Sequence, residues 1–261
     1  MTDEIERFPV LRVTEEGTSD IEEMTAREFP LTITLDNQEL VTLLCSPTNL
    51  KYLVIGFLFS EGLLKDKEEI KKIIVDEGKG VVWVETEEDK GVDRELLFKR
   101  FITSGCGRGA SFYSAADVQS QAKIESQIKI SPDEVFDLVK EFQHRSQVYK
   151  ATHGVHSAAL CDTKSILLFS DDIGRHNAID KIFGECILKD IPTEERIIIT
   201  SGRISSEMLL KVAKRSIPII ISIAAPTNLG VRLAADLGIT LIGSVRGRKM
   251  NVYSNNWRIR K

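Results

Sequence analysis

One of the four cysteines stands in a setting that favours a reactive thiol. Cys106 lies within Thr103-Ser-Gly-Cys-Gly-Arg-Gly-Ala110, a segment too rich in glycine to pack as core. Arg108 and Arg100 would stabilise the thiolate, which is the nucleophilic form of cysteine. The other three occur in apolar segments, where a thiol is usually a small buried hydrophobe: Cys45, Cys161 and Cys186. The sequence therefore favours a flexible reactive thiol at Cys106, with an incidental cysteine as the alternative.

Polar side chains are also dense in two separate segments of the second half. They are Asp171, Asp172, Arg175, His176, Asn177, Asp180 and Lys181, followed by Ser201 and Arg203. Helix capping and i,i+4 pairing, such as His176 with Asp180, would explain any one of them. The whole cluster is harder to explain in that way, and it predicts a polar pocket.

A third polar group, Gly243-Ser-Val-Arg246-Gly-Arg248-Lys249, places two arginines and a lysine beside glycines. Glycine lets the backbone approach a ligand closely, and the arginine fork matches a phosphate or a guanine edge. A solvated basic hairpin is the alternative for this motif taken alone. His153 and His156, three residues apart at the start of a predicted strand, are expected to face opposite ways rather than to share a metal.

The predicted elements that position these groups form a tail and two regions. Residues 1–27 are polar and without periodicity, and they predict a flexible N-terminal tail or edge segment. Residues 28–130 predict a small α+β lobe that includes the cysteine loop: two hairpins and a helix, with Ser46-Pro-Thr48 as the expected helix cap. Residues 131–261 predict an α/β domain that opens on the capping box Ser131-Pro-Asp-Glu134. Its all-apolar strands, 197–199 and 219–221, indicate a mixed or parallel sheet covered by helices.

The order helix, two strands, helix, strand, helix, strand is that of the cytidine-deaminase-like fold. Deaminases with this layout carry HxE at the second helix and PCxxC at the third, so that three ligands hold zinc and the glutamate moves protons. Here His176 occupies the histidine position, but Ala178 replaces the glutamate, and Gly202 and Ser205 replace both cysteines. We therefore expect no zinc. Two adjoining helix N-termini would remain, and their free N–H groups suit a phosphate.

The composition is that of an ordinary globular chain. It has 261 residues, 42% of them hydrophobic, and its 35 basic and 39 acidic residues are interspersed with a net charge of −4. Such a balance does not indicate a nucleic-acid or membrane surface. The start lacks the basic and apolar parts of a signal peptide, no run of about 18 apolar residues occurs, and the cysteines form no CxxC pair. We expect a cytoplasmic protein with free thiols.

From about Glu28 to Tyr253 the chain resembles the formate dehydrogenase accessory sulfurtransferases, the FdhD/NarQ family. The segments that carry this resemblance are Gly56-Phe-Leu-Phe-Ser-Glu-Gly62, the Cys106 loop, Gly154-Val-His-Ser-Ala158, Asp171-Asp-Ile-Gly-Arg-His-Asn-Ala-Ile-Asp-Lys181, Ser201-Gly-Arg203, Ala225-Pro-Thr227 and the Arg246 hairpin.

The resemblance implies a sulfur carrier that forms homodimers. Such a protein would take sulfur from a cysteine desulfurase as a persulfide on Cys106. It would deliver this sulfur to molybdenum bis(molybdopterin guanine dinucleotide), bound as a substrate, before the cofactor enters the catalytic subunit of formate dehydrogenase. The family's cofactor-binding stretch maps onto Ser244, Val245, Arg246, Gly247, Arg248 and Lys249. The polar cluster described above adds Arg203 and His176 to the predicted cofactor-binding residues.

The chain departs from the family pattern at two positions. Gly109 stands where the loop usually has a second cysteine, so a relay would work with one cysteine and no resolving thiol. Ser244 stands where the cofactor stretch usually begins with phenylalanine, so guanine recognition is weakened or passes to another residue. Two alternatives stay open: a cofactor-binding chaperone without sulfur transfer, and a zinc nucleotide deaminase.

Overall fold

A computed structural model describes residues 4–87, 101–102, 110–111 and 122–260. Where the sequence predicts a tail, it shows an antiparallel hairpin of β1 (Ile5–Thr14) and β2 (Gly17–Ala26). Cross-strand pairs join Arg7 to Glu22 and Arg12 to Glu23. Most of its side chains are exposed, so the hairpin lacks the buried stripe by which strands are usually predicted. These residues therefore form two paired strands, where the sequence predicts a flexible tail or an edge segment.

The next residues form a four-stranded sheet with one helix against it. In chain order the elements are β3 (Phe29–Leu35), β4 (Gln38–Cys45), α1 (Leu50–Ser60), β5 (Ile70–Asp76) and β6 (Val81–Thr86), and the sheet order is β4-β3-β6-β5. Both predicted hairpins are confirmed, and Asp36 and Asn37 form the first turn with positive φ. The predicted cap is wrong, because Asn49 is the residue before α1, and Ser46 bonds to Asp172 and Ile173 of the second region instead.

Two short strands, β7 (Phe101–Ile102) and β8 (Ala110–Ser111), pair antiparallel. Cys106, Arg108 and Gly109 lie between them, outside the described residues. The expectations for the cysteine loop therefore stay predictions.

The second region is a six-stranded mixed sheet covered by helices, as predicted. It comprises α2 (Pro132–Arg145), α3 (Gln147–Thr152), β9 (His156–Cys161), β10 (Ile166–Asp172), α4 (Arg175–Leu188), β11 (Ile197–Thr200), α5 (Ser206–Lys214), β12 (Ile219–Ser222), α6 (Asn228–Asp236), β13 (Thr240–Arg246) and β14 (Lys249–Ser254). The sheet order is β10-β9-β11-β12-β13-β14, with β11, β12 and β13 parallel. The central isoleucines of β11 and β12 are fully buried on both faces of the sheet. The predicted first helix is confirmed as α2, and Ser146, which ends α2, caps the further helix α3 that the sequence did not predict.

Helices α1 and α4 join the two regions by a very close crossing. A Cβ at Gly56 would lie 1.8 Å from the carbonyl oxygen of Asp180, and one at Gly184 would lie 1.9 Å from that of Tyr52. Beside the crossing, the Ser46 N–H donates to Asp172. Glycines at both positions therefore let the helix backbones touch. No helix among the described residues has both the length and the apolar run needed to cross a membrane.

Candidate functional site

Four connections meet at one edge of the six-stranded sheet. Strands β11, β12 and β13 are parallel, and β10 runs in the same direction because both β10 and β11 are antiparallel to β9. Their carboxyl ends therefore share an edge, where ligands of α/β sheets usually bind. We define the carboxyl-edge site as residues 174–176, 201–207, 224–227 and 243–249, together with His156 and Tyr253, which lie against them.

Hydrogen bonds hold these connections together. Ser222, at the end of β12, donates from its hydroxyl to the Gly202 carbonyl at 2.7 Å and accepts from the Ala224 N–H at 2.9 Å. The Thr227 N–H donates to the Ile204 carbonyl, and the Ser244 N–H donates to the Ala224 carbonyl. The backbone at this edge is therefore fixed from the start of α5 to the last hairpin.

The starts of α4 and α5 bring together a group of polar side chains. The Nε2 of His176 lies 3.7 Å from the Oε2 of Glu207. Among the described residues, neither atom has a hydrogen-bond partner, and both are inaccessible to solvent. Beside them, the Nδ1 of His156 lies 3.2 Å from the Ser201 hydroxyl. The stem of Arg175 packs on Gly202, where a Cβ would come within 2.8 Å.

Burial controls the charge of this group. It lowers the pKa of His176 to about 3, with Lys211, Arg175 and His156 adding to the effect. Burial also lowers the pKa of His156 and raises that of Glu207, although Arg175 and Lys211 oppose the second shift. His176 is therefore neutral at pH 7. The positive charge at the start of α4 comes from Arg175 and from the helix N-terminus.

Several residues of the predicted polar pocket serve the fold instead. Asp172 and Lys181 are fully buried and form an ion pair at 2.8 Å. Asp180 pairs with Lys211 and accepts from the Ser60 hydroxyl, so it does not bond to His176. Asp171 accepts hydrogen bonds from the hydroxyls of Ser146 and Ser157. The side-chain amide of Asn177 donates to the Leu44 carbonyl and to Asp172. The prediction that all of these side chains line the polar pocket is wrong. Their spacing along the helix does not specify which helix face packs against a neighbouring element.

The predicted cofactor stretch divides between core, hairpin and a neighbouring helix. Val245 is fully buried in the core. Arg248 is turned to α2, where it pairs with Asp133 and lies over the Phe136 ring. Arg246, Gly247 and Lys249 are exposed at the hairpin, and Arg203 is exposed on the loop after β11. Arg203, Arg246 and Arg248 are thus all exposed at this edge, and Arg248 is paired with Asp133.

An aromatic ring stands beside Ser244. Gly243 allows this approach, because a Cβ there would lie 3.1 Å from the Tyr253 ring and 3.1 Å from Pro226. Ser244 adopts φ of +55°, and its hydrogen bond with Tyr253 lowers the pKa of that phenol. Tyr253 is 36% exposed. Its ring is an aromatic surface that a planar base could contact.

The donor set at this edge suits an anion better than a metal ion. Within the described residues, no three His, Cys, Asp or Glu side chains are grouped as metal ligands. At the deaminase positions, Ala178 is buried and Ser205 caps α5 by accepting from the Met208 N–H. Helices α4, α5 and α6 all start here, and N–H groups at helix starts bind phosphates.

Two residues of the site were missed by sequence reasoning. Glu207 lies in the first turn of α5, where acidic residues are common because of the helix dipole. Tyr253 alternates with polar residues in β14, as in any half-exposed strand. Neither has a local signal, since their partners come from α4 and from β13. The two histidines predicted to face opposite ways lie in different surroundings: His153 is exposed, whereas His156 lines the site.

Comparison with known proteins identifies the family to which this chain belongs. The chain is 46% identical over 243 residues to the sulfur carrier protein FdhD of Bacillus subtilis (strain 168), covering 93% of each chain. It is 40% identical over 251 residues to the sulfur carrier protein FdhD of Staphylococcus aureus (strain MRSA252), covering 96% of this chain and 95% of that one. A crystal structure of a proposed formate dehydrogenase accessory protein from Desulfotalea psychrophila matches with a TM-score of 0.81 at 26% identity, over 98% of this chain and 99% of that one. The FdhD/NarQ family model matches residues 26–260, and the chain therefore belongs to the FdhD/NarQ family.

Proposed function

We propose that the protein is a sulfur carrier required for formate dehydrogenase activity. The observation that carries this proposal is the similarity, over 93% of both chains, to a relative that bears the name sulfur carrier protein. The more detailed proposal has three parts: a cysteine desulfurase as donor, Cys106 as the carrier thiol, and the bis-guanylate molybdenum cofactor as the acceptor substrate.

The assignment to Cys106 is supported by the state of the other three thiols. Cys45, Cys161 and Cys186 are buried, and burial raises the pKa of each, to about 12 for Cys45 and Cys186. A thiol with so high a pKa supplies almost no thiolate at pH 7. In the proposed step, the Cys106 thiolate attacks the outer sulfur of the donor persulfide. One S–S bond forms on Cys106 as the donor's breaks, and the donor leaves as a thiolate.

The proposed acceptor is held at the carboxyl-edge site. Its phosphates would meet the N–H groups at the starts of α4, α5 and α6, together with Arg203 and Arg246. Tyr253 would provide the aromatic contact that Ser244 does not. We also propose that residues 131–261 have the cytidine-deaminase-like fold without its zinc ligands.

Mass spectrometry tests the carrier step directly. The full-length protein is incubated with a cysteine desulfurase and cysteine, and its peptides are then searched for one added sulfur atom. We expect the addition on the Cys106 peptide and none on the peptides of Cys45, Cys161 and Cys186. No addition on wild type, or equal addition to a Cys106→Ala variant, would remove the relay role.

Complementation separates a carrier from a chaperone. In a strain that lacks its own family member, we expect both Cys106→Ala and Arg246→Ala to lose formate dehydrogenase activity. Arg145→Ala removes an exposed arginine at the end of α2, outside the site, and should keep the activity. If Cys106→Ala supports activity while Arg246→Ala does not, the protein acts as a cofactor chaperone, an alternative that Gly109 also favours.

A guanine-nucleotide titration tests the aromatic contact. We expect Tyr253→Ala to weaken GDP binding about tenfold and Tyr253→Phe to keep it, because base stacking on an aromatic ring contributes about 1–3 kcal/mol. Tyr149→Ala removes an exposed tyrosine of α3 and is the matched control. Equal GDP affinity of the wild type and Tyr253→Ala would remove Tyr253 from base recognition. Light scattering of the purified protein tests the expected homodimer.

A further inference from the structure

Glu207 is the acidic residue of the carboxyl-edge site. The site is defined by described residues, and among these Glu207 is the one carboxylate. The basic side chains of the site are Arg175, Arg203, Arg246, Arg248 and Lys249. A carboxylate weakens the binding of phosphate, because like charges repel. Its presence at a site for phosphates therefore indicates that Glu207 meets a different part of the ligand.

Capping of α5 does not explain this carboxylate. An acidic side chain in the first turn of a helix often accepts from the free N–H groups there. In α5, the Ser205 hydroxyl accepts from the Met208 N–H instead. The Oε2 of Glu207 has no hydrogen-bond partner among the described residues. The carboxylate of Glu207 thus keeps its capacity to accept hydrogen bonds from a ligand.

The carboxylate is oriented with one oxygen inward. Its Oε2 is enclosed and lies 3.7 Å from the enclosed Nε2 of His176. Even so, 21% of the Glu207 side chain is exposed. Because Oε2 is enclosed, the oxygen that the exposed part can present is Oε1. An ionised carboxylate only accepts hydrogen bonds, so Glu207 requires an N–H or O–H donor on the ligand.

A 2-amino-4-oxopyrimidine ring carries suitable donors. A ring N–H and the exocyclic amino group stand side by side on one edge of this ring, and guanine and pterin both contain it. Hydrogen bonds from such donors to a carboxylate are among the strong ones, because the acceptor is charged. In adenine, by contrast, an acceptor nitrogen stands next to the amino group. The carboxylate therefore favours a guanine or pterin edge over an adenine edge.

The position of Glu207 separates this ring from the one proposed to contact Tyr253. Glu207 follows β11, whereas Tyr253 lies beside Gly243 of β13. In the sheet, β12 separates β11 from β13. Two strand spacings are roughly 10 Å, which is more than the width of either ring system. Glu207 and Tyr253 would therefore contact two different rings of one long substrate.

We propose that Glu207 is a specificity-determining residue, whose carboxylate accepts hydrogen bonds from the N–H edge of a 2-amino-4-oxopyrimidine ring of the substrate. This inference rests on the proposed function, because it assigns one ring of the acceptor proposed there. The arginines of the site and the helix N-termini bind the phosphates, and Glu207 selects the ring.

Calorimetric titration of the full-length protein with matched ligands tests the proposal. Pterin-6-carboxylate and lumazine-6-carboxylate differ in one group, since lumazine has an oxygen in place of the 2-amino group, and GMP and XMP differ in the same way. We expect the wild type to bind the amino member of at least one pair about tenfold more tightly, because the oxygen cannot donate to Glu207. A preference in the first pair assigns a pterin to Glu207, and one in the second pair assigns a guanine.

Glu207→Gln replaces one carboxylate oxygen with an N–H donor and keeps the shape of the side chain. The variant should lose the preference for the amino member, because its amide can donate to the oxygen of lumazine or XMP. It should bind pyrophosphate at least as tightly as the wild type, since a negative charge has been removed. Glu141→Gln changes an exposed carboxylate of α2, outside the site, and should keep the wild-type preference.

Three results would overturn the proposal: no preference for the amino member of either pair in the wild type, the same preference in Glu207→Gln, or an equal loss of affinity for all ligands, pyrophosphate included, in that variant. Circular dichroism checks the fold. If Glu207→Gln does not fold, Glu207→Asp decides, because it withdraws the carboxylate by one methylene, and an unchanged preference would exclude the contact. If pyrophosphate binds the wild type but no preference is found, this inference fails alone. If pyrophosphate does not bind either, the phosphate site of the proposed function fails with it.

Discussion

Replacing His176 with glutamine should remove a specific part of the acid sensitivity of this protein. The imidazole is only 22% exposed, and burial lowers its pKa to about 3, against about 6.5 in an unfolded chain. Below pH 6.5 the unfolded chain takes up a proton at this position and the folded protein does not. The stabilising contribution of neutral His176 is therefore present above pH 6.5 and is lost as the pH falls towards 3.

The expected size follows from the same linkage. Each pH unit below 6.5 removes about 1.4 kcal/mol while the folded imidazole stays neutral, so about 2 kcal/mol is lost by pH 5. Urea unfolding of wild type and His176→Gln at about pH 7.5 and pH 5 measures this term. The wild type should lose about 2 kcal/mol more than the variant over this interval.

A control substitution and the opposite pH dependence complete the test of the His176 prediction. His144→Gln changes an exposed histidine of α2 and should keep the wild-type pH dependence. If Glu207, 3.7 Å away, instead holds His176 charged, the folded pKa is raised. Wild type would then gain stability relative to the variant as the pH falls, and the burial argument would be refuted.

Two further substitutions test the packing. Gly56→Ala should lower the free energy of unfolding by about 3 kcal/mol or more, because its Cβ would lie 1.8 Å from the Asp180 carbonyl oxygen; urea unfolding against Gly78→Ala in an open turn checks this, and equal stability of the two would contradict it. Lys181→Met should cost about 3–5 kcal/mol, because Asp172 is left charged and buried. Thermal unfolding should show little change for the exposed control Lys189→Met, and equal unfolding temperatures of the two variants would contradict this prediction.

The elements with a strong local pattern were predictable. The apolar face of α1, the capping box of α2 and the all-apolar β11 and β12 depend on neighbours close in sequence, and the structure confirms them. The hairpin of β1 and β2 was not predictable in this way. It is a ten-pair backbone ladder with exposed cross-strand pairs such as Arg12 with Glu23, and it buries almost no face.

The candidate site was predictable in its location but not in all its members. His176 and Arg203 lie where the helix order places them, at the edge shared by β10 and β11. Arg248 faces α2, since Asp133 approaches from a helix more than 100 residues earlier. Tyr253 reaches Ser244 only because β13 and β14 pair with an irregular register. Contacts of this kind depend on tertiary structure, which residue types and spacing do not specify.

The crossing of α1 and α4 affects how this chain can be recombined with its relatives. Each glycine meets the backbone of the opposite helix, so the two positions must be inherited together even though they are 128 residues apart in sequence. A chimera with its junction near residue 130 would join helices of different origin at the closest approach to backbone among the described glycines. Such a hybrid can fold only if both parents keep glycine there, whatever their identity elsewhere.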